Sequence, residues 1–266
     1  MPKRRLGICL LLAATLLLPG AAAADPPPYG IVFPAIAPGT PLVTAGYQLY
    51  AANCSICHGA GGEGITSVAP GHSSGEQIGL GPSLRGVGAR SADFYLRTGY
   101  MPLSHVGAQP RRSRVLFSPR QIDAMVAYVA SLGPGPGIPH PDPARGVVST
   151  GLHLFTVNCA GCHQVVAQGG YLTGALAPPL EPDSPVEIAE AVRTGPFLMP
   201  RFSKSALTDG ELNSIVAYLE YAKHPDDRGG WALGHLGPVP EGLVTFFLGA
   251  AVLIATCIVI GRRLKE

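Results

Sequence analysis

Two short stretches constrain this chain more than anything else in it: "NCSICHGAGGEG", from Asn53 to Gly64, and "NCAGCHQVVAQGG", from Asn158 to Gly170. Each opens with Asn, carries Cys-x-x-Cys-His and closes with glycines. That spacing admits two chemistries, covalent attachment of a haem or one half of a zinc site. A zinc ribbon pairs its two Cys-x-x-Cys knuckles across roughly 15 to 20 residues, whereas Cys57 and Cys159 stand about a hundred residues apart. Haem attachment needs two thiols near enough to add to the two vinyl groups of one porphyrin, followed at once by an imidazole that reaches the iron. Cys54, Cys57 and His58 meet that need, and Cys159, Cys162 and His163 repeat it.

The remaining composition agrees. Cys9 and Cys257 lie in the apolar runs at the two ends, so the motifs take every cysteine of the body and leave none for a disulfide scaffold. Charged residues make up 14% of the 266, with 35 Gly and 27 Pro, a turn-rich chain in which a bound group can supply part of the core. The net charge of +2, with no Lys/Arg run interleaved with aromatics, argues against nucleic-acid binding.

Between its ends the chain repeats itself. "GYQLYAANCSICH" aligns with "GLHLFTVNCAGCH", "GPSL" with "APPL", "RTGYMP" with "RTGPFLMP", and "LFSPRQIDAMVAYV" with "ALTDGELNSIVAYL", in the same order. The expected organisation is a signal peptide over 1–24, cleaved or else kept as a signal anchor, a Pro-rich linker over 25–40 and a first domain over 41–133. A Pro/Gly linker over 134–147, a second domain over 148–227 and a connector over 228–241 follow. Residues 242–261 carry no charge and are long enough to span a bilayer, and the basic tail 262–266 is expected on the cytoplasmic side. That orientation places both domains on the extracytoplasmic side.

Each copy reads as helical. The last helices open with capping-box patterns, Ser118 with Gln121 and Thr208 with Glu211, and continue with Ile122, Met125, Val126, Val129 and with Leu212, Ile215, Val216, Leu219 at helical spacing. No strand pattern of comparable length competes. Gly46 with Tyr50, and Gly151 with Phe155, suggest a first helix that crosses the last one closely, beside Tyr128 and Tyr218. Downstream of each motif stands a Met-Pro pair, Met101 and Met199, the expected second axial ligands; thioether plus imidazole raises the haem potential and suits electron transfer. His105 is the rival to Met101. A dihaem peroxidase would need one open axial site, and two methionine candidates argue against it. Arg97 and Arg193 recur before Thr-Gly and could pair with haem propionates or serve as ordinary surface arginines.

The pattern resembles the dihaem cytochrome c subunit of the actinobacterial menaquinol-cytochrome c reductase, the cytochrome bcc complex. "NCAGCH", "RTGPFLMPRFS" and "GHLGPVPEGL" carry the resemblance, supported by "GPSLRGVG" and "RTGYMP". It implies a mainly α fold of two tandem class I cytochrome c-like domains plus one C-terminal transmembrane helix, with two covalently attached haem c groups. Cys54, Cys57, His58 and Met101 would hold the first, and Cys159, Cys162, His163 and Met199 the second. The resemblance further implies a Rieske iron-sulfur subunit and a cytochrome b subunit as donors, and an aa3-type cytochrome c oxidase as acceptor in the respiratory chain. An anchored dihaem carrier for another dehydrogenase or oxidase is the alternative. "ITSVAPGHSSGEQIGL" and "SHVGAQPRRSRVLFS" depart from the second copy and read as surface loops.

Overall fold

Small and apolar residues at helical spacing in "LVTAGYQLYAAN" form the first helix, α1, Leu42–Asn53. It is followed by a one-turn helix α2 (Ser55–His58), then α3 (Gly88–Arg97) and α4 (Pro119–Ser131). The second half repeats the series as α5 (Val148–Asn158), α6 (Ala160–His163), α7 (Pro185–Thr194) and α8 (Asp209–Lys223). A last helix, α9, covers Pro238–Arg263. This computed structural model describes residues 30–65, 81–103, 111–224 and 238–263. The expected signal segment, residues 228–237 of the connector, and residues 66–80 and 104–110 of the two first-domain loops lie outside the described residues.

The fold is mainly α, as expected, with one small departure. Gly170–Leu172 and Ala175–Ala177 pair antiparallel as β1 and β2, turning through Thr173 and Gly174, whose φ is +81°. Strands of three residues are too short for an alternating pattern to register in sequence. Both expected capping boxes are formed, and a third, Ser184 with Glu187, opens α7. There the Glu187 carboxylate accepts from the Ser184 N–H at 2.6 Å.

In each half the first helix packs on the last. A Cβ on Gly46 would overlap the carbonyl oxygen of Ala124 and stand 2.8 Å from Tyr128 Cβ. On Gly151 it would overlap the Ser214 carbonyl and stand 2.8 Å from Tyr218 Cβ. Helices this close bring aromatic rings together: Tyr50 and Tyr128 at 4.9 Å, Phe155 and Tyr218 at 5.5 Å. The Tyr50 hydroxyl then donates to Gly59 O at 2.6 Å and the Tyr218 hydroxyl to Val165 O at 2.5 Å, tying each last-helix contact to the loop after the motif. One apolar cluster forms around Leu49, Ile122 and Met125, the other around Phe155, Ile188, Ile215 and Val216.

Neither linker hangs free where it is described. Ile31 and Ile36 pack on the first core, and Val32 exchanges two hydrogen bonds of 2.8 Å with the Asn53 side chain. The segment between the halves is fastened on both sides: Pro136 O accepts from Arg90 N, and Asp142 N donates to Asn213 Oδ1 at 2.9 Å.

The halves meet where α3 packs on α7. Glu190 of α7 is fully buried there, and neither carboxyl oxygen has a hydrogen-bond partner among the described residues. Burial first, then the neighbouring Asp93 and Glu187, push its carboxyl up to about 9 against the opposing pull of Arg97 and Arg90, so it is neutral at neutral pH. Arg112, from the first half, forms ion pairs with Asp183 and Glu187 of the second.

Two outcomes follow from the helix crossings. Gly151→Ala should cost about 3 kcal/mol, since backbone must move to admit a methyl, while Gly210→Ala, where a Cβ meets nothing within 4 Å, should not destabilise. Equal denaturation midpoints for the two variants would contradict the close crossing. Tyr50→Phe keeps the ring contact but leaves the Gly59 carbonyl with only its longer bond from Gly62 N, for a loss of about 1 kcal/mol; urea unfolding reads it directly.

Candidate haem sites

At the end of α1 the chain stops being continuous helix at Cys54 and resumes for a single turn. Cys57 N and His58 N both donate to Cys54 O, at 3.1 and 2.9 Å, which sets the two thiols one turn apart with the imidazole directly behind them. Cys162 N and His163 N donate to Cys159 O at 3.0 and 2.9 Å, the same arrangement. Left-handed residues then turn the chain away: Gly59 at φ +81° in the first site and Gln164 at φ +61° in the second. Each loop closes back on its histidine, Gly64 N to His58 O at 2.7 Å and Gly169 N to His163 O at 3.0 Å.

The imidazoles are oriented in the same way. His58 Nδ1 lies 2.7 Å from Pro82 O and His163 Nδ1 lies 3.1 Å from Pro178 O. A carbonyl only accepts, so Nδ1 carries the proton and Nε2 is left with a free lone pair, the form that ligates iron. Before Pro82 stands Gly81, where a Cβ would overlap the Cys57 carbonyl and come within 3.0 Å of His58 Nδ1; its counterpart in the second copy is Ala177, and the contact there is longer. Burial lowers the pKa of His163, which holds the ring neutral. It also pushes the Cys54 thiol up to about 12 and the Cys159 thiol to about 11, in each case with help from the second motif cysteine. All four motif thiols are free of disulfides. Paired protonated thiols beside an imidazole with Nε2 available fit a covalently held haem.

Met101 is half-buried just beyond α3, with its N–H bonded to Tyr95 O at 3.0 Å. Met199 N donates to Pro196 O at 3.0 Å, and both Met199 and Cys159 pack against the second core. Met125 belongs to the first core, as its helical spacing implies. His140, His153 and His224 are exposed, while His72, His105 and His235 lie outside the described residues. Among the described residues no three His, Cys, Asp or Glu side chains converge as a zinc site requires.

The two arginines turn out to bind protein. Arg97 holds Asp93 at 2.8 Å and pairs with Asp123 of α4. Arg193, 4% exposed, donates to the carbonyls of Phe202, Ser203 and Leu207 and to Asp209 at 2.8 Å. Each thus fastens the end of the third helix to the start of the last. The carbonyls of Pro82 and Pro178, the hydroxyls of Tyr50 and Tyr218 and the side chain of Asn53 escaped assignment from sequence. The repeat had marked their positions without saying what they touch.

Comparison with known proteins agrees with this geometry. Residues 43–133 match the cytochrome c family model and residues 146–219 the model for cytochrome c oxidase, cbb3-type, subunit III. The cytochrome bc1 complex cytochrome c subunit of Corynebacterium diphtheriae is 37% identical over 84% of this chain and 81% of its own length. The subunit of the same name from Mycobacterium tuberculosis is 36% identical over 98% of this chain and 92% of its own. A cbb3-type cytochrome c oxidase subunit CcoP from Azospirillum is 29% identical over 66% of the chain. With two cytochrome c-type domains built for covalently bound haem c and relatives matched nearly end to end, the chain belongs to the family of cytochrome c subunits of the cytochrome bc1 complex and is an electron carrier.

Proposed function

We propose that the chain carries two haem c groups and relays electrons from menaquinol to a terminal oxidase. The carrying observation is the duplicated site, in which two Cys-x-x-Cys-His turns each have the histidine Nδ1 held by a proline carbonyl. Cys54 and Cys57 would hold the first haem covalently, with His58 and Met101 as its iron ligands, and Cys159 and Cys162 would hold the second, with His163 and Met199 as its iron ligands. When bound, the haem supplies one-electron chemistry at potentials raised by thioether ligation. The protein's part would be to hold the two histidines and two methionines in place, the redox chemistry belonging to the haems.

α9 supports a membrane anchor. The most apolar 18-residue window within Val239–Arg263 has a mean hydropathy of 2.7, and none of it is buried among the described residues. At 1.5 Å per residue a helix of this length is about 39 Å long, more than the roughly 30 Å of bilayer hydrocarbon. Phe246, Phe247, Val252 and Leu253 are each two-thirds exposed, which water would penalise and lipid would not. Arg262 and Arg263 at its end favour the cytoplasmic side, leaving both haem domains extracytoplasmic. In this reading the donors are the Rieske and cytochrome b subunits, and the acceptor is the copper centre of an aa3-type oxidase. The match of the second domain to a cbb3-type oxidase subunit favours a second reading, a dihaem carrier that serves another oxidase.

Purification of the tagged chain with its partners in mild detergent, followed by reduction with a menaquinol analogue, tests the first reading. Quinol-reducible c-type absorption with co-purifying b- and a-type bands is expected, and a c-type band alone, inert to quinol, would favour the second. Met199→Ala should leave both haems attached while lowering the potential of one; an unchanged pair of potentials in a redox titration would remove Met199 as ligand.

A further inference from the structure

We propose that Phe197, Tyr95 and Tyr100 are positioning residues that clamp the two methionine loops together and so set the spacing of the two haem sites. The inference rests on the dihaem reading above. Between the repeated Thr-Gly and the methionine, the first copy has one residue, Tyr100, and the second has three, Pro196, Phe197 and Leu198. The added length carries a ring across to the other half. Phe197 stands 5.7 Å from the Tyr95 ring and 5.4 Å from the Tyr100 ring, and Tyr100 in turn stacks on Phe94 at 5.8 Å.

Four further observations make this more than casual packing. Phe197 has a φ of +54°, a left-handed conformation that is an outlier for a bulky residue and persists where surroundings over-determine it. The ring contacts it makes among the described residues are both with the first half, although it is itself half exposed. Phe197 precedes Met199 by two residues and Tyr100 immediately precedes Met101, so any parting of these rings moves the loops that hold the irons' sixth ligands. The packing of α3 on α7 and the Arg112 ion pairs with Asp183 and Glu187 bracket the rings with fixed structure.

Electron exchange between the sites oxidises one iron as it reduces the other, with no proton or bond transferred. Its rate therefore depends on spacing, which is what a clamp controls. The test uses the full holoprotein in detergent and the variants Phe197→Ala, Tyr95→Ala and Phe197→Tyr. Tyr95→Ala keeps the backbone carbonyl that holds Met101. Haem content, the iron–thioether charge-transfer band, hydrogen exchange in α3 and α7, and haem-to-haem equilibration after flash reduction are read in parallel. The two alanine variants should keep two haems and the thioether band, exchange amide hydrogens faster in both helices, and equilibrate several-fold more slowly; Phe197→Tyr should restore wild-type behaviour. Two haems with unchanged equilibration in the alanine variants would overturn the clamp alone, whereas fewer than two haems in the wild-type protein would overturn the dihaem reading beneath it.

Discussion

Everything about the sites depends on how closely the first and last helix of each half approach. Glycine at 46 and 151 lets one backbone rest on the carbonyl of the other, and no residue with a Cβ could do so without displacing it. Because packing inside a protein is dense, that approach fixes more than the two helices. The Cys-x-x-Cys-His turn is the direct continuation of the first helix, and the last helix presents a tyrosine whose side chain lies against it. The thiols and imidazole are therefore placed by backbone contact several residues upstream of themselves.

Both halves solve the same problem, and their differences show which parts of the solution are negotiable. Gly59 becomes Gln164 and Gly81 becomes Ala177, yet the chain still reverses after each histidine and a proline carbonyl still meets Nδ1. Arg97 finds two carboxylates where Arg193 finds three carbonyls and one carboxylate, yet both tie the third helix to the last. What stays constant is the set of backbone contacts, and side chains vary around it.

Much of this was legible in the sequence because the repeat turns weak signals into paired ones. A single Gly-Tyr pair says little, but Gly46 with Tyr50 and Gly151 with Phe155, each at the same offset before a haem motif, pointed to the crossing that the structure contains. Capping boxes were readable since they join residues three apart. Contacts across long separations were not: Asn53 to Val32, His58 to Pro82 and Arg193 to Leu207 leave no local pattern. The protein partners of the two arginines were hidden for the same reason. Their repetition signalled a common role, while the partner that defines the role lay on another helix. The hairpin at Gly170 was simply too short for periodicity to reveal.

Glu190 occupies the position in the second copy that Phe94 holds in the first, three residues before the repeated arginine. Since α3 and α7 are equivalent helices, their contact has the character of a homodimer interface joined into one chain. Such an interface invites promiscuity, with like halves of neighbouring chains competing for the intramolecular partner. The buried acid breaks that degeneracy. Two second halves meeting through α7 would set one Glu190 carboxyl against another in place of the α3 face that it meets here, so the two ways of pairing are chemically distinct.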